Sequence, residues 1–240
     1  MFVPWSEQRL LVVAPHPDDD VLGAGGLIAR VKREGGSAHV LFVTAGDVAD
    51  FSEVGTSTLD QKQREIAQAA AVLGLDSWHL ALPGAAHNLR LDRLPRSVLV
   101  DLIERGSHPL SFEHLKPTIV AVPEPTSYNQ DHQAVAAAIT TALRPGPDRW
   151  RHQPSLVLGY EEVPDSWTGS AVAPAARDVF IELSDHDLGT KISAVRAHAS
   201  QCREHPHTRS EPALRALATV RGAQAGFSAA EAFRCLRWRS

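Results

Sequence analysis

Apolar stretches that alternate with helical patterns along the chain predict a layered α/β domain, with a mostly parallel sheet flanked by helices. Two observations carry that expectation. Residues 10–14 and 38–44 are near-continuous apolar runs, as strands buried on both faces require. Between them residues 21–35 have helical length, enough for the right-handed crossover that joins parallel neighbours.

The later elements follow the same alternation. A helix over residues 59–73 stops at Gly74, the residue type that closes helices in the left-handed conformation. A strand is expected at 78–82, a helix at 95–105 and a strand at 118–122. A polar, proline-bearing loop then runs through residues 123–132 into an alanine-rich helix over 133–143. Strands at 155–160 and 179–183 and a helix over 187–203 complete the pattern. Residues 161–177, rich in Pro, Ser and Ala around Trp167, read as a long connection and a candidate lid.

At 240 residues and 43% apolar content the chain can fill one substantial core, and residues 1–240 read as a single domain. Cys202 and Cys235 are far apart in sequence and distant from any acidic cluster, which fits ordinary reduced thiols. Residues 1–9 lack a basic flank followed by an apolar signal segment, and no apolar stretch approaches the ~20 residues that cross a bilayer. A cytoplasmic location without a membrane span is the expectation. A formal charge of -4, with both signs interspersed, leaves no electrostatic footprint for nucleic acid. Arg234, Arg237 and Arg239 read as a solvated helix end.

The most informative string is Ala14-Pro15-His16-Pro17-Asp18-Asp19-Asp20, directly behind the first strand. His16 and Asp19, three residues apart at a strand-to-helix turn, can point to the same side as metal ligands, while Asp18 beside them can accept a proton from water. His132 follows another apolar strand at the same expected edge and is the best third ligand, with Asp131 as a carboxylate in its surroundings. Each residue also has a plainer reading. Aspartates after a strand commonly cap the next helix, and a histidine at a helix start is often only polar filling. The combination of two such strings, each behind its own strand, favours the metal.

Gly23-Ala24-Gly25-Gly26 invites a rival reading as the phosphate turn of a nucleotide-dependent oxidoreductase. These glycines, however, follow three acids that would repel a pyrophosphate, so close approach of the first helix to the sheet explains them better. No Gly-x-Ser-x-Gly elbow supports a serine hydrolase. His205 and His207 have ligand-like spacing but sit in a polar turn.

These residues resemble the zinc-dependent N-deacetylases of the PIG-L, or LmbE-like, family, whose signature is Ala/Pro-His-Pro-Asp-Asp-Glu after the first strand. Val12 to Asp20 with Gly25-Gly26 is similar to the opening, and Val43-Thr44-Ala45-Gly46-Asp47 to the second strand end. Arg64-Glu65 with Leu73-Gly74 is similar to the following helix, and Asn129-Gln130-Asp131-His132 stands where the family often has His-x-Asp-His. Lys191, Ala197-His198-Ala199-Ser200-Gln201 and Ala230-Glu231-Ala232-Phe233 resemble the late motifs.

The resemblance implies a Rossmann-like α/β fold in which His16, Asp19 and His132 bind Zn2+ or another divalent metal and Asp18 is the general base. It further implies that Asp131 orients the groups around the site and that Arg64 contacts substrate, and it gives His198 and Gln201 no role. Asn129 falls on the position of a histidine that stabilises the oxyanion or protonates the leaving amine; an amide can donate a hydrogen bond there but cannot shuttle a proton. Asp20 replaces the usual Glu, and Leu82-Pro83-Gly84-Ala85-Ala86-His87 lacks the acid that relatives use on a sugar hydroxyl. The implied activity is removal of an acetyl or other acyl group from the nitrogen of an amino sugar or glycosylated small molecule. The alternative is a zinc-retaining sugar-binding protein without turnover. The implied partner is that small molecule, and a homo-oligomer is left open.

Overall fold

The computed structural model describes residues 4–49, 55–162 and 176–239. In chain order the elements begin with β1 (Arg9–Ala14), α1 (Asp19–Arg33), β2 (Ser37–Ala45), the short pair β3 (Val48–Ala49) and β4 (Thr56–Ser57), α2 (Leu59–Leu73) and β5 (Ser77–Pro83). They continue with α3 (Arg96–Arg105), α4 (Phe112–Leu115), β6 (Ile119–Val122), α5 (Gln130–Ala142) and β7 (Leu156–Tyr160). The last are β8 (Val179–Glu182), α6 (Asp185–Ala197), α7 (Glu211–Ala225) and β9 (Ala230–Trp238).

Seven strands form one sheet in the order β5-β2-β1-β6-β7-β9-β8. All pairings from β5 to β7 are parallel, and β9 runs antiparallel to both of its neighbours. The pleat sends alternate residues of β1 to opposite faces. Leu10, Val12 and Ala14 join the core under α1, α2, α6 and α7, while Leu11 and Val13 join the core under α3, α4 and α5. Burial on both faces explains why this strand reads as an unbroken apolar run. The layered α/β architecture is the expected one.

The order of strands fixes where a site can form. From β1 the chain moves outward to β2 and β5, then returns to the other side of β1 for β6 and β7. The crevice beyond the carboxyl ends of β1 and β6 is the switch point at which such sheets bind ligands. Both sequence strings enter it.

Several boundaries differ from the sequence reading. α2 ends as expected at Gly74, which adopts φ 65°. α5 starts at Gln130, three residues earlier than the expected 133, so Asp131 and His132 lie in its first turn and not in a loop. α6 ends at Ala197, well short of 203, which frees residues 198–210 to form a loop over the crevice. Helix α7 and strand β9 were not anticipated, and Arg234 and Arg237 lie on that strand, with Arg239 just beyond it, so the expected solvated helix end is corrected. Residues 163–175, which hold Trp167 and most of the candidate lid, lie outside the described residues. Among the described residues no helix is long and apolar enough to cross a membrane, and both cysteines are free.

The glycines of α1 serve packing. A Cβ on Gly23 would stand 2.3 Å from the Tyr160 ring, and one on Gly26 would stand 2.9 Å from the Glu231 carboxyl carbon. Through that gap Glu231 of β9 accepts from the Gly26 and Leu27 N–H groups at 2.8 and 2.7 Å. Lys191 of α6 donates to Glu231 at 2.7 Å and to the Leu22 carbonyl at 2.8 Å. A buried ion pair is thus spliced into the hydrogen-bond ladder of α1 one turn below the acids it carries.

Candidate metal centre

The string after β1 turns sharply before α1 begins. The Pro15 carbonyl accepts from Thr44 N–H at 3.0 Å, which ties the turn to β2. Asp18 occupies the N-cap of α1 with φ 105° and makes no side-chain cap hydrogen bond. The capping explanation therefore fails for this residue. Its carboxylate is buried and faces Arg209, whose guanidinium nitrogen is 3.1 Å away. Burial raises Asp18 to about 6, against the opposing pull of Arg209.

Asp19 is the hub of the cluster. Its Oδ2 accepts from His16 N–H at 2.8 Å, and it lies 3.5 Å from His16 Nδ1 and 3.2 Å from His132 Nε2. His16 Nδ1 and His132 Nε2 are 3.3 Å apart. These three atoms, from residues 16, 19 and 132, are a group able to hold a metal ion. A tetrahedral ion with ligand arms of ~2.0–2.1 Å places its donors about 3.3 Å apart, which is the size of this triangle.

The outer nitrogens of both rings are engaged by carboxylates. His16 Nε2 donates to Asp131 Oδ2 at 2.9 Å, while Asp131 Oδ1 accepts from Leu91 N–H at 2.9 Å. His132 Nδ1 lies 2.8 Å from Glu162 Oε2. Each carboxylate holds the proton on the outward nitrogen and turns the inward lone pair toward its neighbours, as metal-binding imidazoles require. The donor set therefore fits a divalent ion. Burial works against a charge on His132, yet Asp19 and Glu162 push it up to about 12. Burial likewise opposes the Asp19 charge, but the imidazoles hold that carboxyl far below its usual range. A setting that so favours positive charge favours a cation in place of the proton.

The remaining expected residues fall as follows. Asp131 is fully buried, and its partner is His16, not the adjacent His132. Asn129 caps α5, its Oδ1 accepting from Asp131 N–H at 2.9 Å, and it also lines the cleft. Arg64 is exposed on α2 and is not among the residues lining the cleft; Lys62, half a turn earlier, is. Asp20 is buried outside the triangle, and burial with the nearby Asp18 pushes it up to about 8. His198 is 1% exposed and burial lowers it to about 4, so it is neutral. His207 lines the cleft and accepts from Arg209 N–H at 3.0 Å, while His205 is exposed.

Three residues escaped the sequence reading. Glu162 and Arg209 engage the metal group and Asp18 from distant parts of the chain. Glu65 accepts from Ser200 N–H and Oγ at 2.9 and 2.7 Å, which fastens the loop at 198–210 to α2. Only the Arg64-Glu65 pair in the motif hinted at it. Gln201 in turn accepts from Arg209 at 2.9 Å, so a chain of contacts runs from that loop to Asp18.

Residues 11–143, more than half of the chain, match the family described as PIG-L: GlcNAc-PI de-N-acetylase. The chain belongs to the PIG-L family. Curated PIG-L relatives are similar along most of its length. The 1D-myo-inositol 2-acetamido-2-deoxy-alpha-D-glucopyranoside deacetylase of Mycobacterium sp. (strain JLS) is 26% identical, with 84% of this chain and 77% of the relative aligned. The diacetylchitobiose deacetylase of Thermococcus kodakarensis is 27% identical over 95% of this chain and 82% of its own. Among solved structures, a conserved protein from Thermus thermophilus superposes with a TM-score of 0.70 at 27% identity, covering 94% of this chain and 93% of that one.

Proposed function

We propose that the protein is a zinc-dependent hydrolase that removes an N-acetyl group from an amino sugar or a glycosylated small molecule. The observation that carries this reading is the triangle of His16, Asp19 and His132, with edges of 3.2 to 3.5 Å and a carboxylate behind each imidazole. Both curated relatives named above are deacetylases of N-acetylated sugars, which supports the same substrate class here. The whole chain works as one domain, in the cytoplasm, on a small molecule.

In this scheme His16, Asp19 and His132 hold the ion. The chemistry it supplies when bound is Lewis-acid polarisation of the amide carbonyl and activation of a water. Asp18 is placed to take one proton from the attacking water as its oxygen adds to the carbonyl carbon, and to return that proton to nitrogen as the C–N bond breaks. Acetate and a free amine leave. Arg209 faces the Asp18 carboxylate at 3.1 Å and orients it. Asn129 donates a hydrogen bond to the reacting carbonyl but moves no proton, so both transfers fall on Asp18.

Metal analysis of the purified protein, together with amine release from a panel of N-acetylated sugars, tests the proposal. Zinc at one per chain and release abolished by a chelator are expected. The amide at Asn129 favours one second reading, a sugar-binding protein that keeps the ion without turnover. Saturable sugar binding with no amine released from any substrate would establish that reading instead.

A further inference from the structure

A base must meet its proton donor at a fixed distance and angle, yet Asp18 makes no helix-cap hydrogen bond, and the group that faces it is a long side chain from a loop. A chain of side chains holds that group in turn. Arg209 Nη1, 3.1 Å from Asp18 Oδ2, also donates to Gln201 Oε1 at 2.9 Å. At the other end of the same amide, Gln201 Nε2 donates to Ser200 Oγ at 3.1 Å. Ser200 Oγ donates to Oε2 of the buried Glu65 at 2.7 Å, and Ser200 N–H donates to Oε1 at 2.9 Å. The His198 carbonyl fixes the backbone beneath by accepting from Gln201 N–H at 2.8 Å.

The polarity of this chain is forced from its far end. A carboxylate only accepts, so Glu65 commits the single Ser200 hydroxyl proton and leaves that oxygen to accept. The Gln201 NH2 must then face Ser200, which turns its carbonyl oxygen toward Arg209, a side chain that only donates. Glutamate at this position could not donate to Ser200, and lysine could not accept from Arg209. A guanidinium held by Asp18 alone would sample many rotamers, whereas a second acceptor on the same nitrogen selects one. We infer that Gln201 is a positioning residue for the base: its amide, oriented through Ser200 by Glu65, fixes Arg209 and thereby the Asp18 carboxylate. The inference rests on the reading of Asp18 as the base of a deacetylase. Gln201 also lines the cleft, so the rival role is direct contact with substrate, and the two roles differ in what they do to the kinetics.

The test uses the metal-loaded protein and an N-acetylated sugar that it cleaves. Gln201→Met keeps the length of a half-buried loop side chain and removes both of its hydrogen bonds. Its kcat is expected to fall about tenfold or more while KM stays within about twofold. Ser200→Ala acts one link further back, at a residue that does not line the cleft, and is expected to lower kcat by about threefold or more, again with little change in KM. In an Arg209→Met background, Gln201→Met is expected to add less than about twofold, because its effect passes through that guanidinium. An effect of Gln201→Met confined to KM marks a substrate contact and overturns the inference, as does an unchanged kcat or an effect that persists in full without Arg209. An unchanged kcat in Ser200→Ala strikes Ser200 and Glu65 from the chain. A second readout needs neither metal nor turnover. A guanidinium held on two sides gives separate, slowly exchanging η resonances in a proton–nitrogen spectrum, assigned by their loss in Arg209→Lys. They are expected in the metal-free protein and are expected to merge in Gln201→Met; resonances absent from the parent protein or untouched in the variant overturn the inference. Should no sugar be cleaved, the deacetylase reading fails, and the spectrum alone decides whether Gln201 fixes Arg209.

Discussion

Asp18 holds a left-handed backbone conformation at φ 105°, which costs a non-glycine residue of order 1–3 kcal/mol. The surrounding contacts must over-determine it, and the beneficiary is a buried carboxylate left free of helix capping. Asparagine tolerates the same backbone and the same shape. Asp18→Asn is therefore expected to retain the metal while kcat falls by ~10² to 10⁴. Metal content and amine release measured on one preparation check this, and unchanged turnover shows that another group takes the proton. Asp131 stands behind the His16 ring, clamped between it and the Leu91 N–H. Its replacement by Ala frees the His16 ring and is expected to lower metal affinity roughly ten- to a hundredfold, read by competition with a chromophoric chelator.

Helix α1 is the element that carries Asp18 and Asp19, and it is anchored from two other elements. Lys191 and Glu231 bridge its Leu22 carbonyl and its Gly26 and Leu27 N–H groups, all inside the core. Removing one partner strands the other charge together with those backbone groups. Glu231→Ala is expected to cost about 3–5 kcal/mol in denaturant-induced unfolding, whereas a surface pair would cost under about 1. The far end of α1 is held by Asp187, which caps α6 with Ser184 and binds Arg33 at 3.0 Å. Burial acts to raise Asp187, but Arg33 and Ser184 outweigh it and depress its carboxyl in the folded state. The contribution is thus complete above the unfolded value near about pH 4 and is lost as pH falls through the lower folded value. Asp187→Asn is expected to destabilise the protein at neutral pH and to flatten its loss of stability between about pH 4 and 2, as thermal melts across that range would reveal.

For the whole molecule, the centre joins β1, α1 and α5 through side chains that sit 116 positions apart in sequence. An ion bound there holds the folded chain and not the unfolded one. At a free concentration a hundred times its dissociation constant it adds about 2.7 kcal/mol, so chelation is expected to lower the melting temperature by roughly 5–10 °C. Scanning calorimetry with and without chelator measures the difference; an unchanged Tm counts against a site shared by the two halves of the sheet.

The parallel sheet and the His-Pro-Asp-Asp string were legible because each is a local pattern: apolar runs of strand length, and ligands three residues apart. The pairing of Asp131 was not. Successive helical residues point about 100° apart, so once α5 begins at Gln130, Asp131 and its neighbour His132 must face different partners. Strand β9 was hidden because arginines such as Arg234 and Arg237 interrupt its apolar pattern. The sequence by itself determined the fold class and singled out the two strings that hold His16, Asp18, Asp19 and His132, since apolar periodicity and local spacing are short-range patterns. Only the tertiary structure decided that Glu162 backs His132, that Arg209 meets Asp18 and that cations line the cleft, because such contacts arise where strand order brings distant segments to one sheet edge.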